Sequence, residues 1–331
     1  MSTQPDYSVI QWEIFNLPEF PHIPLRRAVT KDKHPQVPTI EPHVFTEEHL
    51  SEFATCVWPS DDGDPQPLLL SGPTGSGKTS FILQLAARCN VPVFRVNLNG
   101  GTTVRQLKGS LAVRDGATYF NPGVATMAME FGGWLLLDEL SAAVPPVAMS
   151  LFPILEPRGA VLLEQAQPVR CVTRHPHFRV FATDNTIGAN MEAARFAYRG
   201  TNPDQNVALI DRFGGMCELT YLGQSEEFDI MLQKVPDIHD VVLEGLIRVA
   251  NLVRDSEDAP PFSTRMVENW ARRIAMVPYR ELTTVEVNTK KYQSDPAFIM
   301  SCASGAFLRK QRTNEQRTII QEIIVRIFGE A

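Results

Sequence analysis

The chain has 331 residues, enough for one large domain or two, and its 44% apolar and 21% charged residues are ordinary globular values. A formal net charge of −7 gives no electrostatic footprint for nucleic acid, and no run of about 18 apolar residues offers a membrane span. Five scattered cysteines (Cys56, Cys89, Cys171, Cys217 and Cys302) form neither a CxxC nor a zinc-spaced Cys/His pair, so reduced thiols in a cytoplasmic protein are expected.

The first stretch, "MSTQPDYSVIQWEIF", lacks the basic-then-apolar pattern of a signal peptide. Pro5, Pro18, Pro21, Pro24, Pro35, Pro38 and Pro42 prevent long helices, so residues 1–42 read as a proline-rich, extended arm. Its Ile10, Trp12, Ile14 and Phe15 suit either docking on a neighbouring surface or a partly ordered tail. From 43 to 224 short apolar runs alternate with amphipathic segments, the pattern of a parallel α/β sheet. Strands are predicted at 67–71, 91–98, 134–138, 178–184 and 216–222. From 225 to 331 the period becomes helical. Val267, Trp270, Ala271 and Ile274 share one face and read as core. The last helix has Thr313 as its N-cap. The expected fold is therefore α/β: a five-stranded parallel sheet followed by a small all-helical domain.

Strand 67–71 runs into Gly72, Pro73, Thr74, Gly75, Ser76, Gly77, Lys78, Thr79 and Ser80, then into the apolar "FILQLAARC". This is G-x-x-x-x-G-K-[ST] in strand–loop–helix context, the phosphate-binding loop. Glycines let successive N–H groups point at phosphate oxygens, and the helix N-terminus adds its dipole. Lys78 reaches the β- and γ-phosphates of ATP in such a loop, and the Thr79 hydroxyl ligates Mg²⁺. About 60 residues on, "WLLLDELS" ends a buried strand with adjacent acids. Asp138 fits the acid that holds Mg²⁺, and Glu139 the residue that orients and polarises the attacking water. Pro153 and Pro157 in "VAMSLFPILEP" predict a kink in the helix that follows.

Further segments resemble AAA+ ATPases, and more narrowly their MoxR branch with its metal-chelatase motor subunits. "FRVFATDNT" resembles the sensor-1 strand, which implies that Asn185 hydrogen-bonds the γ-phosphate or the attacking water. "ALIDRFGG" resembles the branch's Leu-x-Asp-Arg-Phe motif, implying that Arg212 is the arginine finger of the next subunit's site; Arg195 and Arg199 are the alternatives. "FSTRMVENW" resembles the sensor-2 segment, with Arg265 as the matching arginine. "AVRDGATYFNPG" (112–123) resembles the β-hairpin that faces the central pore in this branch. Together with "RVNLN" (95–99) and "HPHF" (175–178), the pattern resembles most the ATPase subunits of aerobic cobaltochelatases over about residues 40–285. Leu140 and Ser141 stand where those subunits carry Tyr-Asp and other MoxR members Ile-Asn. His175 and His177 flank a proline and read as turn and packing residues.

The resemblance implies a ring, a hexamer, with ATP between subunits. It also implies a remodelled partner protein, in this branch often one with a von Willebrand A domain. Three other readings stand beside it: the motor subunit of a cobalt-inserting chelatase, a nucleic-acid-remodelling motor, and a scaffold that uses ATP only to hold its assembly together.

Overall fold

The computed structural model describes residues 6–10, 25–29, 34–57, 64–185, 208–256, 259–276, 295–311 and 313–329. Two compact units make up the chain, one of Met1–Gly72 with Gly77–Leu219 and one of Thr220–Ala331 with Pro73–Ser76. In the first stretch, β1 (Asp6–Ile10) and β2 (Leu25–Val29) pair antiparallel, a ladder that proline counting alone does not foresee. Helix α1 (Glu47–Val57) follows, then β3 (Leu68–Ser71), α2 (Lys78–Cys89), β4 (Val93–Asn97) and the short α3 (Val104–Lys108). A hairpin of β5 (Gly109–Arg114) and β6 (Ala117–Pro122) leads to α4 (Val124–Phe131). Its two-residue turn is Asp115–Gly116, both with positive φ (53° and 78°), the sequence chemistry that such tight hairpins need.

Next come β7 (Trp134–Asp138), α5 (Pro145–Leu155), a second hairpin of β8 (Ala160–Leu163) and β9 (Arg170–Thr173), β10 (Arg179–Thr183) and β11 (Gly215–Glu218). Strands β11-β3-β10-β7-β4, in that spatial order, form one five-stranded parallel sheet. Alternation along the strands buries both faces. Leu68, Leu70, Trp134, Leu136 and Phe181 pack with α1 and α2 residues such as Phe53, Phe81 and Leu85. Leu69, Leu135, Leu137, Val180 and Ala182 pack on the other face with Leu107, Met129, Val147 and Leu151 from α3, α4 and α5. Phe53, stacked on Phe181 at 5.6 Å, and Trp134 centre the first layer. Pro153 lies inside α5, near its end at Leu155, and Pro157 lies beyond the helix end.

The five cysteines are all free thiols. Burial first, then nearby Glu52, pushes Cys56 up to about 11 and Cys217 up to about 12, so both are neutral packing groups.

The second unit contains α6 (Gln224–Lys234), α7 (Asp240–Arg254), α8 (Thr264–Ala275), α9 (Pro296–Ala306) and α10 (Asn314–Phe328). The apolar stripe of α8 is core: Val267, Trp270, Ala271 and Ile274 are fully buried, and Trp270 Nε1 donates to Ile299 O at 3.1 Å. Phe307 packs edge-on against both Trp270 and Phe262. Thr313 caps α10 by accepting from Gln316 N. Among the described residues no helix is long and apolar enough to cross a membrane.

Candidate nucleotide site

Register sets the site. Asn97 lies beside Asp138, Leu137 beside Ala182 and Leu70 beside Thr183, so the carboxyl ends of four neighbouring strands finish together. That edge is where open α/β sheets bind ligands. Ser71 ends β3, and Gly72 turns the chain with φ +137°; a Cβ there would meet the Leu219 carbonyl oxygen at 2.0 Å. Only glycine serves at that position. Gly77, with φ +97°, opens α2 as its N-cap and offers no side-chain cap to the first-turn amides. A Cβ on Gly77 would have nothing nearer than His43 Cε1 at 3.9 Å, so the missing side chain leaves room in front of the helix terminus.

The buried Lys78 folds back so that Nζ donates to Gly72 O at 2.9 Å, which fixes its ammonium over the loop. Ser80 Oγ lies 3.3 Å from His43 Nδ1. Within the second unit, the loop tip is braced: Ser76 N donates to Pro73 O, and Tyr221 Oη donates to Thr74 O at 3.0 Å. A Cβ on Gly75 would meet Ser263 Cβ at 2.4 Å. Ser76 Oγ is buried and has no hydrogen-bond partner among the described residues.

The acids close the arrangement. Asp138 is 3% exposed. Its Oδ1 accepts from Thr79 Oγ1 and from Thr183 Oγ1, each at 2.9 Å, and its Oδ2 pairs with Arg95 Nε. Glu139 adopts the left-handed conformation (φ 60°, ψ 55°), uncommon for a residue with a side chain and costing on the order of 1 kcal/mol or more. The neighbouring strand steadies that turn, because Glu139 N donates to Thr183 Oγ1 at 3.3 Å. Asn185 Nδ2 in turn donates to Glu139 Oε1 at 3.2 Å. Behind them the buried Asp184 accepts from Ser141 N at 2.6 Å and donates its own N–H to Leu70 O. The residues present fit a magnesium-bound nucleotide. A glycine-lined helix terminus and a fixed ammonium suit phosphate, while a hydroxyl and a carboxylate suit a hard divalent cation.

Comparison with known proteins agrees. A family profile described as AAA domain (dynein-related subfamily) matches residues 67–199. The aerobic cobaltochelatase subunit CobS of Sinorhizobium sp is 34% identical over 217 residues, 62% of this chain and 64% of its own length. The gas vesicle ATPase GvpN of Haloferax mediterranei is 26% identical over 239 residues, covering 67% and 63% of the two chains. The protein NorQ of Paracoccus denitrificans is 27% identical over 206 residues, 61% and 70%. Residues 67–199 thus resemble the AAA domain family, and the chain is similar to these three proteins over 61–67% of its length. It spans just under two thirds of the cobaltochelatase subunit that it matches.

Within this chain, the structure gathers Lys78, Thr79, Asp138, Glu139 and Asn185 at one sheet edge. Arg212 is elsewhere in the same unit. Its Nη1 donates to Ala208 O at 2.6 Å, and its guanidinium stacks 3.8 Å over the Phe152 ring of α5. Its Nε lies 3.2 Å from Glu156 Oε1, off the line of a hydrogen bond. Arg195 and Arg199 fall outside the described residues. Arg265 is exposed in the first turn of α8, a helix that Ser263 caps by accepting from Met266 N.

His175 and His177 lie in the turn before β10, where His177 N donates to His175 Nδ1. Burial, then Arg179, holds the His175 imidazole below its ordinary range. Sequence reasoning missed Arg95, Thr183 and Asp184. The signal for Arg95 was a lone charge between the apolar Phe94 and Val96 in a predicted strand. For Thr183 and Asp184 it was two polar residues directly before Asn185.

Proposed function

We propose that this chain assembles into a ring and hydrolyses ATP between adjacent subunits to drive a conformational change in a partner protein. The observation that carries the reading is the junction at the β7 tip. There Thr79 and Asp138, separated by 59 positions, share a 2.9 Å hydrogen bond, while Glu139 beside them is held by Asn185.

In this reading the backbone from Gly72 to Ser80 and the Lys78 ammonium bind the β- and γ-phosphates. Thr79 and Asp138 hold Mg²⁺, which when bound neutralises charge on the phosphate oxygens. Glu139 takes the proton of the attacking water, and Asn185 positions that carboxylate. Arg212 acts in the neighbouring subunit's site, and Arg265 contributes to nucleotide sensing. Phe152 and Glu156 keep the Arg212 guanidinium oriented, which suits a side chain presented to another subunit. Residues 225–331 act as the lid whose motion follows the nucleotide.

The 34% identity to a protein named as a cobaltochelatase subunit supports a narrower version, in which the partner is a large chelatase subunit. A von Willebrand A protein is the broader expectation. The arrangement in trans is tested by mixing. Arg212→Ala and Lys78→Ala chains are each expected to be inactive alone and to regain a fraction of wild-type hydrolysis when co-assembled, because some interfaces then hold an intact Lys78 facing an intact Arg212. A well-assembled mixture with no recovered activity contradicts a finger in trans. Nucleotide-trapped Glu139→Gln protein recovered from native extract, with mass spectrometry of what it retains, distinguishes a chelatase subunit from a von Willebrand A protein.

A further inference from the structure

Asp138 is flanked by more positive charge than a metal-holding acid needs. Two hydroxyl donors, Thr79 and Thr183, orient it through Oδ1. The Arg95 guanidinium sits on Oδ2 in addition. The acid's side chain is 4% exposed and the arginine's 50%. Arg95 is the middle residue of β4, in register with Leu136, and β4 runs beside β7 until Asn97 reaches Asp138 itself. An arginine there is not a packing residue, and its backbone neighbours Phe94 and Val96 point to the apolar layer instead.

We propose that Arg95 sets the magnesium affinity of the site. It supplies a permanent counter-charge to the buried Asp138 carboxyl, and by sharing that carboxyl it holds the affinity for a divalent cation down. The inference rests on the reading of Thr79 and Asp138 as the metal-holding pair. Its physical basis is simple. A guanidinium and a dication on one carboxylate repel each other, and at about 5 Å with water-like screening that repulsion weakens metal binding roughly tenfold. Orientation of Asp138 survives without Arg95, because Thr79 and Thr183 both act on the other oxygen. Removing the arginine should therefore tighten metal binding, whereas removing an orienting residue would loosen it.

The test uses the full chain and the non-hydrolysable analogue AMP-PNP. Its binding is measured against free Mg²⁺, and thermal midpoints are recorded in EDTA and in Mg²⁺ with the analogue. Arg95→Gln is expected to lower the Mg²⁺ half-saturation about tenfold. It should also lower the midpoint in EDTA by roughly 5 °C, most of it restored by Mg²⁺ and analogue. Arg95→Lys, which keeps the charge, should stay within about threefold of wild type in Mg²⁺ dependence. An unchanged or raised half-saturation in Arg95→Gln overturns the proposal. Should that variant not fold in EDTA, it is expected to fold with Mg²⁺ and analogue, and failure in both media also overturns it. Asp138→Asn separates the two levels of the argument. If it leaves the Mg²⁺ dependence intact, the metal-holding reading itself fails; if it removes that dependence while Arg95→Gln shifts nothing, only the role of Arg95 fails.

Discussion

Two buried carboxylates in this protein each face an arginine, and they differ in how completely that arginine is enclosed. Glu227 is fully buried, and Arg254 is 8% exposed. Arg254 grips both carboxylate oxygens at 2.7 and 2.8 Å, donates to Asn251 and Phe262 O, and lies 4.3 Å over the Tyr221 ring. Asp138 meets Arg95 on one oxygen, and half of that arginine is in solvent. The first pair is saturated, a fixed joint inside the helical unit. The second leaves the acid free to bind something more, next to a residue, Glu139, held in a strained backbone conformation. Burial alone does not separate structure from chemistry here; the arginine's remaining exposure does.

The contrast can be broken by mutation. Arg254→Met leaves Glu227 buried without its charge partner and should destabilise the helical unit by about 3–5 kcal/mol. Magnesium and nucleotide should not rescue that loss, in contrast to Arg95→Gln; thermal melts of the two variants side by side check this. Rescue of both to the same extent would erase the distinction between the pairs.

A smaller effect sharpens the active side. Thr183→Val removes the hydroxyl shared by Asp138 Oδ1 and Glu139 N. Loss of two such bonds should cost about 1–3 kcal/mol, read as a roughly 10- to 100-fold fall in kcat with nucleotide affinity changed far less. An unchanged kcat would remove Thr183 from the account.

The smallest effect is electrostatic and lies in the second unit. Burial alone would raise the Glu268 carboxyl, but Lys234 at 3.1 Å and then Arg272 more than reverse this, so it titrates below its ordinary range. A depressed folded-state value means that the contribution is fully present above the ordinary glutamate range and is lost as pH falls through the lowered one. All three side chains are partly exposed, so Glu268→Gln should change stability by less than about 1 kcal/mol near neutral pH and flatten the acid limb of a stability–pH curve. An unaltered acid limb would show that the pairs are screened out.

How much of this was legible beforehand follows the physics of each element. Strand Trp134–Asp138 could be read to the residue, because a run of apolar side chains ending in two acids has few other homes in an α/β fold. The glycine-rich turn between β3 and α2 was equally plain, since its glycines and lysine have fixed spacing. The last strand was expected at 216–222 but ends at Glu218, after which the chain passes into the second unit at Thr220. Apolarity in "LTYL" belongs to that transition, and period alone cannot tell the two apart. The β8–β9 hairpin went unread because its strands are four residues long and joined by a polar loop. Arg95 and Thr183 were invisible as partners of Asp138, because their meeting depends on parallel register between strands far apart in sequence.

The central claim is that Glu139 activates water at a site that binds ATP without its help. Nucleotide binding and phosphate release should therefore be measured together on purified Glu139→Gln protein in Mg²⁺. ATP affinity within a fewfold of wild type, with phosphate release reduced on the order of 100-fold or more, is the predicted result. Phosphate release at the wild-type rate would contradict the account.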